Sequence, residues 1–267
     1  MRSLLRAAAI VAVCALFLGP IVALVMGSLR APGLPPPDGL ELMPDPWTPE
    51  NYRTVFLFLP LWPYIANSLL VVAIAVPVTV VVASWAAFAV VTASPRVRRA
   101  VVVASAVALM VPLSALWVPR FALYRTAGVT DTLVPLVAPA LMATTPFYVL
   151  LFALVYRRIP RSLFDAAVLE RLSPFQLWRR VAFPLGRPAT FAVALLAFIF
   201  HWSNFLDPLL YLPTSGTATL PLALRELQTL EPTNHPILLA ASVIATAPAI
   251  VAFFVAQRAF FTRTLDV

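Results

Sequence analysis

The sequence contains little charge, little glycine, one cysteine and no lysine. Only 11% of its 267 residues are charged, whereas about a quarter are charged in an ordinary soluble domain. So few charged side chains cannot coat a soluble fold in which 61% of the residues are hydrophobic. The composition excludes a soluble enzyme, a disordered chain and a secreted disulfide scaffold, and it predicts a protein embedded in a lipid bilayer.

The same scarcities exclude several kinds of site. The single cysteine, Cys14, allows neither an internal disulfide nor a thiolate metal cage. A phosphate-binding loop of the pattern Gly-x-x-x-x-Gly-Lys-Ser/Thr needs a lysine, and all 19 basic residues are arginine. The protease signatures Gly-x-Ser-x-Gly and His-Glu-x-x-His do not occur either. We therefore expect no catalytic residue, no metal and no bound cofactor in this chain.

Long charge-free runs predict six transmembrane helices. About 20 apolar residues are needed to cross about 30 Å of hydrocarbon, and six segments reach that length. They are approximately 7–29, 67–91, 100–119, 133–156, 188–210 and 237–257. The expected fold is an all-α polytopic membrane protein with a single transmembrane domain over 1–267. The first run begins like a signal peptide but exceeds the length of a signal h-region, so we expect it to be retained as a span.

The distribution of arginine predicts the orientation of the spans. With the N-terminus in the cytoplasm, 14 of the 19 arginines fall on inner segments and 5 on outer ones. This split follows the positive-inside rule, and the opposite orientation would violate it. We therefore expect both termini to be cytoplasmic. Arginine on the cytoplasmic side of a membrane protein accounts for the net charge of +8, so we expect no nucleic-acid partner.

One connection between spans, 157–187, is too long for a simple turn. Apolar residues recur at helical spacing from Ile159 to Leu169, and Ser173-Pro174 is typical of a helix start with a serine N-cap and a first-turn proline. We interpret the segment as two short helices at the cytoplasmic membrane surface. The spacing alone also fits a basic interfacial loop that only links two spans.

This segment resembles the signature loop of ABC-importer permeases. The family pattern runs Glu-Ala-Ala, three residues, Gly, nine residues, Ile, one residue and Leu-Pro. Asp165-Ala166-Ala167 opens it here, and Val181 and Phe183-Pro184 close it. Asp165 replaces the Glu, and Arg171 replaces the Gly. If that position needs a left-handed backbone, arginine pays a steric cost that glycine avoids, so we expect the turn to be built differently.

The resemblance extends along the chain to permeases of carbohydrate-type importers, of the kind of a maltose importer's second permease. Short family-like patterns occur in order at Thr48-Pro49-Glu50-Asn51-Tyr52, Asn67-Ser68-Leu69, Val111-Pro112, Trp202-Ser203-Asn204-Phe205 and Thr219-Leu220-Pro221-Leu222. The resemblance implies a type I importer permease fold in a bacterial inner membrane. It also implies a homologous second permease, two ATP-binding subunits that hold ATP and Mg, and an extracytoplasmic solute-binding protein.

The resemblance further implies that the 157–187 segment is a coupling loop that docks on the ATPase. The candidate coupling residues are Asp165, Ala166, Ala167, Glu170, Arg171, Leu172, Ser173 and Phe175. Ala166 and Ala167 are small enough for a partner surface to approach closely. Asp165 and Glu170 are carboxylates on an otherwise basic segment, and they can pair with basic groups of a partner.

Polar residues within spans are costly in lipid, so they should face a solute path or a neighbouring helix. The candidates for a substrate path are Ser114, Thr145, Trp202, Ser203 and Asn204. An indole face with hydroxyl and amide groups fits a sugar or a sugar-like solute. Glycerol phosphate, a polyol or another polar solute stays open as cargo. An ion-coupled secondary transporter is a remote alternative, because such a protein needs charged residues near the midplane of its spans.

Overall fold

A computed structural model describes residues 2–37, 39, 43–212 and 215–261, with the side chains of 2–4, 215 and 258–261 left undescribed. Helices make up all the regular structure of these residues, and no strand occurs among them. The prediction of an all-α fold is confirmed.

The α-helices follow one another along the chain with short connections. They are α1 (Arg2–Ser28), α2 (Glu50–Phe58), α3 (Leu61–Thr92), α4 (Pro95–Leu109), α5 (Trp117–Thr126), α6 (Val134–Val137), α7 (Pro146–Tyr156), α8 (Arg161–Leu169), α9 (Pro174–Leu177), α10 (Phe183–Leu185), α11 (Arg187–Trp202), α12 (Leu206–Tyr211), α13 (Leu220–Leu230) and α14 (His235–Phe261). Short 3-10 turns cover Leu113–Leu116, Ala138–Met142 and Ser215–Thr217, and a π-helical turn, Trp178–Ala182, joins α9 to α10.

Four helical stretches of the described chain are long and apolar enough to cross a membrane. They are Leu5–Ser28, Leu61–Thr92, Val134–Tyr156 and His235–Gln257. Two bent pairs meet the same criteria only when each pair is taken as one span: Pro95–Leu109 with Leu113–Thr126, bent by 91°, and Pro174–Leu185 with Arg187–Trp202, bent by 81°. The structure therefore contains four candidate spans, or six with the bent pairs.

The apolar runs 100–119 and 188–210 are interrupted in the structure. In the first, α4 ends at Leu109, and Pro112 has an extended backbone (φ −66°, ψ 138°). Proline has no N–H to continue the hydrogen-bond ladder of α4. In the second, α11 ends at Trp202 and α12 begins at Leu206, so α11 alone has 16 residues and a length of about 24 Å.

The chain divides into two compact units, which are described separately. One comprises the described parts of 1–65 and 219–250, and the other those of 66–218 and 251–267. The expectation of a single transmembrane domain stays a prediction.

In the first unit, Asn51 holds the end of α1. The side chain of Asn51 is fully buried, and its Nδ2 donates hydrogen bonds to the carbonyls of Ser28 (2.9 Å) and Arg30 (2.7 Å). The Ser28 hydroxyl in turn lies 2.7 Å from the Tyr52 hydroxyl. Carbonyls at a helix C-terminus lack intrahelical donors, so the Thr48–Tyr52 pattern supplies the missing partner.

In the second unit, α3, α7 and α11 share a hydrophobic core with the residues of the 157–187 segment. Small residues line this core on α3 and α11, among them Ala83, Ala87, Ala189 and Ala197. Small side chains let membrane helices approach closely. Phe152 and Tyr156 of α7 fill the space between them and are almost fully buried.

Candidate functional site

The 157–187 segment contains two short helices, as the sequence predicts. Helix α8 leads through a tight turn into α9, and the π-helical turn and α10 carry the chain on to Gly186, just before α11. π-Helical turns are rare and frequently occur at functional sites. We call the stretch 161–186 the helix–turn–helix element.

The turn between α8 and α9 is a Schellman motif with arginine at the glycine position. Arg171 has φ 56°, in the left-handed region. Its N–H donates to the Val168 carbonyl (2.9 Å), and the Leu172 N–H donates to the Ala167 carbonyl (3.1 Å). These two bonds define the motif. The expectation that arginine changes the turn is wrong, because these two hydrogen bonds and the packing of Leu172 against the core outweigh the steric cost of a Cβ there.

Helix α9 begins with a capping box. Ser173 Oγ accepts from the Gln176 N–H (3.3 Å), and Gln176 Oε1 accepts from the Ser173 N–H (2.9 Å). Pro174 occupies the first helical position. The predicted serine cap is confirmed, and Gln176 is an addition that the Ser-x-x-Gln spacing could have revealed. Both ends of the turn are thus held by local hydrogen bonds.

The candidate coupling residues divide between two faces of the element. Leu169 and Val168 are 84% and 62% exposed, and Asp165, Ala166, Glu170, Arg171, Ser173 and Phe175 are exposed too. Ala167 is only 6% exposed, and it packs with half-buried Leu172 against the core. Leu169 and Glu170 are therefore exposed on the outer face, Val168 and Asp165 are exposed beside the groove described below, and Ala167 is packed inside.

A buried hydrogen-bond chain ties the element to the long helices. Trp178 Nε1 donates to Ser84 Oγ (2.8 Å), and Ser84 Oγ lies 2.5 Å from the Tyr156 hydroxyl. All three residues are buried, and they come from the element, α3 and α7. The Trp178 ring also packs edge-on against Trp85, with ring centroids 5.1 Å apart. We call Ser84, Tyr156 and Trp178 the anchor triad.

The anchor triad was missed from the sequence, although part of it carries a signal. Ser84 and Tyr156 are polar residues inside charge-free runs, where a polar group needs an internal partner. Gly186 belongs to the same contact, because a Cβ there would lie 2.5 Å from Tyr156 Cε1. Only a residue without a side chain allows this approach between the element and α7.

A groove of about 770 Å³ lies between α8 and the ends of α3, α4 and α7. Its lining includes Phe164, Asp165 and Leu172 from the element together with Arg98, Arg157 and Arg161. A second groove, of about 620 Å³, adjoins it between α3, α4 and α7 and shares Arg98 and Arg157. Basic side chains therefore surround the inner side of the element.

The residues predicted for a substrate path near the end of α11 have local partners. Trp202 is buried, and its ring stacks on Phe198 at 5.7 Å with 9° between the planes. Asn204 Nδ2 donates to Asp207 Oδ2 (2.8 Å), while Asn204 Oδ1 accepts from the Asp207 N–H (3.2 Å). Ser203 Oγ donates to the Ile199 carbonyl (2.7 Å). These contacts end α11 and start α12.

The other two predicted path residues lie elsewhere in the second unit. Ser114 is exposed in the 3-10 turn that follows the break after α4. Thr145 is the N-cap of α7, where its Oγ1 accepts from the Phe147 N–H (3.4 Å). Their role in a substrate path stays a prediction.

Asp207 lies in a polar cluster beside Asn204. The carboxylate is buried at the start of α12, and Tyr211 follows one turn later. Burial raises the pKa of the Tyr211 hydroxyl to about 12, and the Asp207 carboxylate adds to that rise. Tyr211 is therefore neutral at physiological pH, and its hydroxyl lies 3.4 Å from the Trp117 carbonyl, to which it donates.

The fold matches a solved transporter chain. It aligns with a TM-score of 0.79 to a chain from the crystal structure of a bacterial ABC transporter involved in the import of the acidic polysaccharide alginate, at 20% identity, over 96% of this chain and 95% of that one. The chain therefore has the fold of that transporter chain, and the prediction of an importer fold is confirmed.

Curated relatives match over most of their length. The chain is 29% identical over 244 residues to the arabinooligosaccharides transport system permease protein AraQ of Halalkalibacterium halodurans, covering 90% of this chain and 87% of the relative. It is 30% identical over 222 residues to the trehalose transport system permease protein SugB of Mycobacterium tuberculosis, covering 82% and 80%. It is 27% identical over 194 residues to the lactose transport system permease protein LacG of Rhizobium radiobacter, covering 73% and 70%.

Residues 79–266 match the family described as binding-protein-dependent transport system inner membrane component. The chain belongs to this family, and it is a membrane permease rather than an enzyme.

Proposed function

We propose that this chain is one permease subunit of an ATP-driven importer that receives a sugar or sugar-like solute from a binding protein. It forms half of the translocation path together with a homologous second permease. Two ATP-binding subunits hydrolyse ATP in the cytoplasm, and an extracytoplasmic solute-binding protein delivers the cargo. The arginine distribution supports the orientation, with both termini and the helix–turn–helix element in the cytoplasm.

The observation that carries this proposal is the two-faced construction of the element. Its outer face exposes Leu169 next to the carboxylate of Glu170, and Val168 and Asp165 are exposed where this face meets the groove of about 770 Å³. Exposed apolar patches rimmed by polar residues are typical of protein interaction sites. This mixture supports docking of the outer face on an ATPase subunit.

The inner face supports transmission of movement. The Schellman motif and the capping box make the element locally rigid, and the anchor triad joins it to α3 and α7. A displacement imposed on the outer face is therefore passed to two long helices rather than absorbed by a loose loop. Closure of the two ATP-binding subunits on ATP would bring the helix–turn–helix elements of the two permeases together. This movement would change the side of the membrane to which the translocation path opens.

The named relatives support the cargo class. The names of three of them refer to arabinooligosaccharides, trehalose and lactose. All three names refer to sugars. This agreement supports the expectation that the present chain also transports a carbohydrate.

The experiment enlarges the exposed outer face of the element. In Ala166→Trp the new ring projects from an exposed position, so it should block docking without disturbing the core. We expect the purified transporter to lose the stimulation of ATP hydrolysis by loaded binding protein, and to lose uptake. Ala106→Trp is the matched control, because Ala106 is an exposed alanine of α4 outside the element. Normal uptake and normal stimulation of ATP hydrolysis in Ala166→Trp would contradict the proposal.

A further inference from the structure

The groove of about 620 Å³ between α3, α4 and α7 carries its charge at one end only. Three arginines, Arg98, Arg99 and Arg157, line it at the start of α4 and the end of α7. The remaining lining residues are apolar, and none of the lining residues is acidic. A ligand that fits this groove must combine a negative group with a long apolar part.

The apolar end of the groove is open to the surroundings of the chain. Val103 of α4 and Leu154 of α7 line it and are 55% and 58% exposed. No residue of α4 is buried, although the helix packs against α7. In a membrane protein, exposed apolar side chains of one subunit face lipid tails or a neighbouring subunit. Leu150 to Arg157 spans about 10 Å along the helix axis, which matches the upper part of an acyl chain.

We propose that this groove binds an anionic phospholipid, with its phosphate held by Arg98, Arg99 and Arg157 and an acyl chain lying between α4 and α7. Arginine pairs well with phosphate because its planar guanidinium donates two parallel hydrogen bonds. Basic pockets between transmembrane helices recognise anionic headgroups in this way. The layout of the groove, charged at one end and apolar at the other, matches a lipid better than a protein helix.

The proposed phosphate site lies beside the helix–turn–helix element without belonging to it. Arg98 and Arg157 also line the larger groove, where Asp165 and Arg161 face the same space. Four arginines and one carboxylate therefore surround the two grooves, so the local charge stays positive when Asp165 is ionised. The proposal depends only on the membrane location of the chain, and it can fail or hold independently of the proposed function.

The test compares two double variants of the full-length chain in mild detergent. Arg98→Gln with Arg157→Gln removes two groove charges, while Arg96→Gln with Arg158→Gln removes two neighbouring charges that do not line either groove. Binding of phosphatidylglycerol and of phosphatidylcholine is measured by native mass spectrometry. We expect wild type to prefer phosphatidylglycerol, the groove variant to lose about thirtyfold in affinity for it, and the control variant to stay close to wild type.

Equal losses of affinity for phosphatidylglycerol in both double variants would overturn the proposal, because they would indicate that the lipid is attracted by the overall positive charge and not by the groove. An absence of preference for phosphatidylglycerol in wild type would overturn it as well. A photoreactive residue in place of Leu154 distinguishes occupants in native membranes. A lipid adduct supports the site, and an adduct with a protein subunit refutes it.

Discussion

Replacing Arg171 by glycine is expected to stabilise the turn between α8 and α9. Arg171 has φ 56°, and a left-handed backbone costs a residue with a Cβ roughly 1–2 kcal/mol. Glycine removes this cost but loses more conformational entropy on folding, which offsets roughly 0.5–1 kcal/mol. The net gain in the free energy of opening the turn is therefore about 0–1.5 kcal/mol, with a central value of about 0.75 kcal/mol.

Hydrogen exchange measures this gain at the turn itself. The amides of Arg171 and Leu172 donate the two bonds of the Schellman motif, so their exchange reports its opening. The central value slows exchange at Leu172 about three- to fourfold. The variant carries the residue that the family pattern has at this position.

Arg171→Ala is the matched control for the same experiment. It also removes the guanidinium, but it keeps a Cβ and with it the left-handed cost. Exchange at Leu172 should therefore stay near the wild-type rate. Equal slowing in the alanine and glycine variants, or faster exchange in the glycine variant, would refute the strain argument.

Two further predictions concern the contacts beneath the element, both measured as the free energy of unfolding in detergent by circular dichroism. Trp178→Phe keeps the packing of an aromatic ring but removes the Nε1 donor, so it should lower the free energy of unfolding by about 1–2 kcal/mol. Trp47→Phe is the control at an exposed position and should lower it much less. Equal losses of stability in the two variants would contradict the role of the hydrogen bond. Gly186→Ala places a Cβ 2.5 Å from Tyr156 and should cost about 1–3 kcal/mol. Gly19→Ala, with no atom within 4 Å, should be neutral or slightly stabilising, and a neutral Gly186→Ala would contradict the packing argument.

The features that depend on local chemistry were predictable from the sequence. Charge-free runs identify α1, α3 and α14 as long helices because hydrocarbon tolerates few charges, but they do not reveal the breaks within 100–119 and 188–210. The start of α9 follows from Ser173 and Pro174, since a cap and a first-turn proline act within one helical turn. The resemblance of Asp165-Ala166-Ala167 and Phe183-Pro184 to the family loop adds the class of protein.

The features that depend on distant contacts were not predictable. Trp178 and Ser84 are 94 residues apart in sequence, and no local pattern pairs them. The burial of Ala167 and the exposure of Ala166 depend on how α8 packs on the core. At Arg171 the local preference is overridden, because backbone hydrogen bonds on both sides of the residue favour the left-handed turn.

The most direct test of the coupling role is the accessibility of Leu169, which is 84% exposed at the tip of α8. Leu169→Cys is made together with Cys14→Ser, because Cys14 is the only cysteine of the chain, and it is treated with a membrane-impermeant maleimide. We predict labelling in inside-out vesicles and none in intact spheroplasts, and protection of the thiol when the ATP-binding subunits are assembled on the permease. Labelling from outside the cell, or labelling that the ATP-binding subunits do not change, would contradict the account.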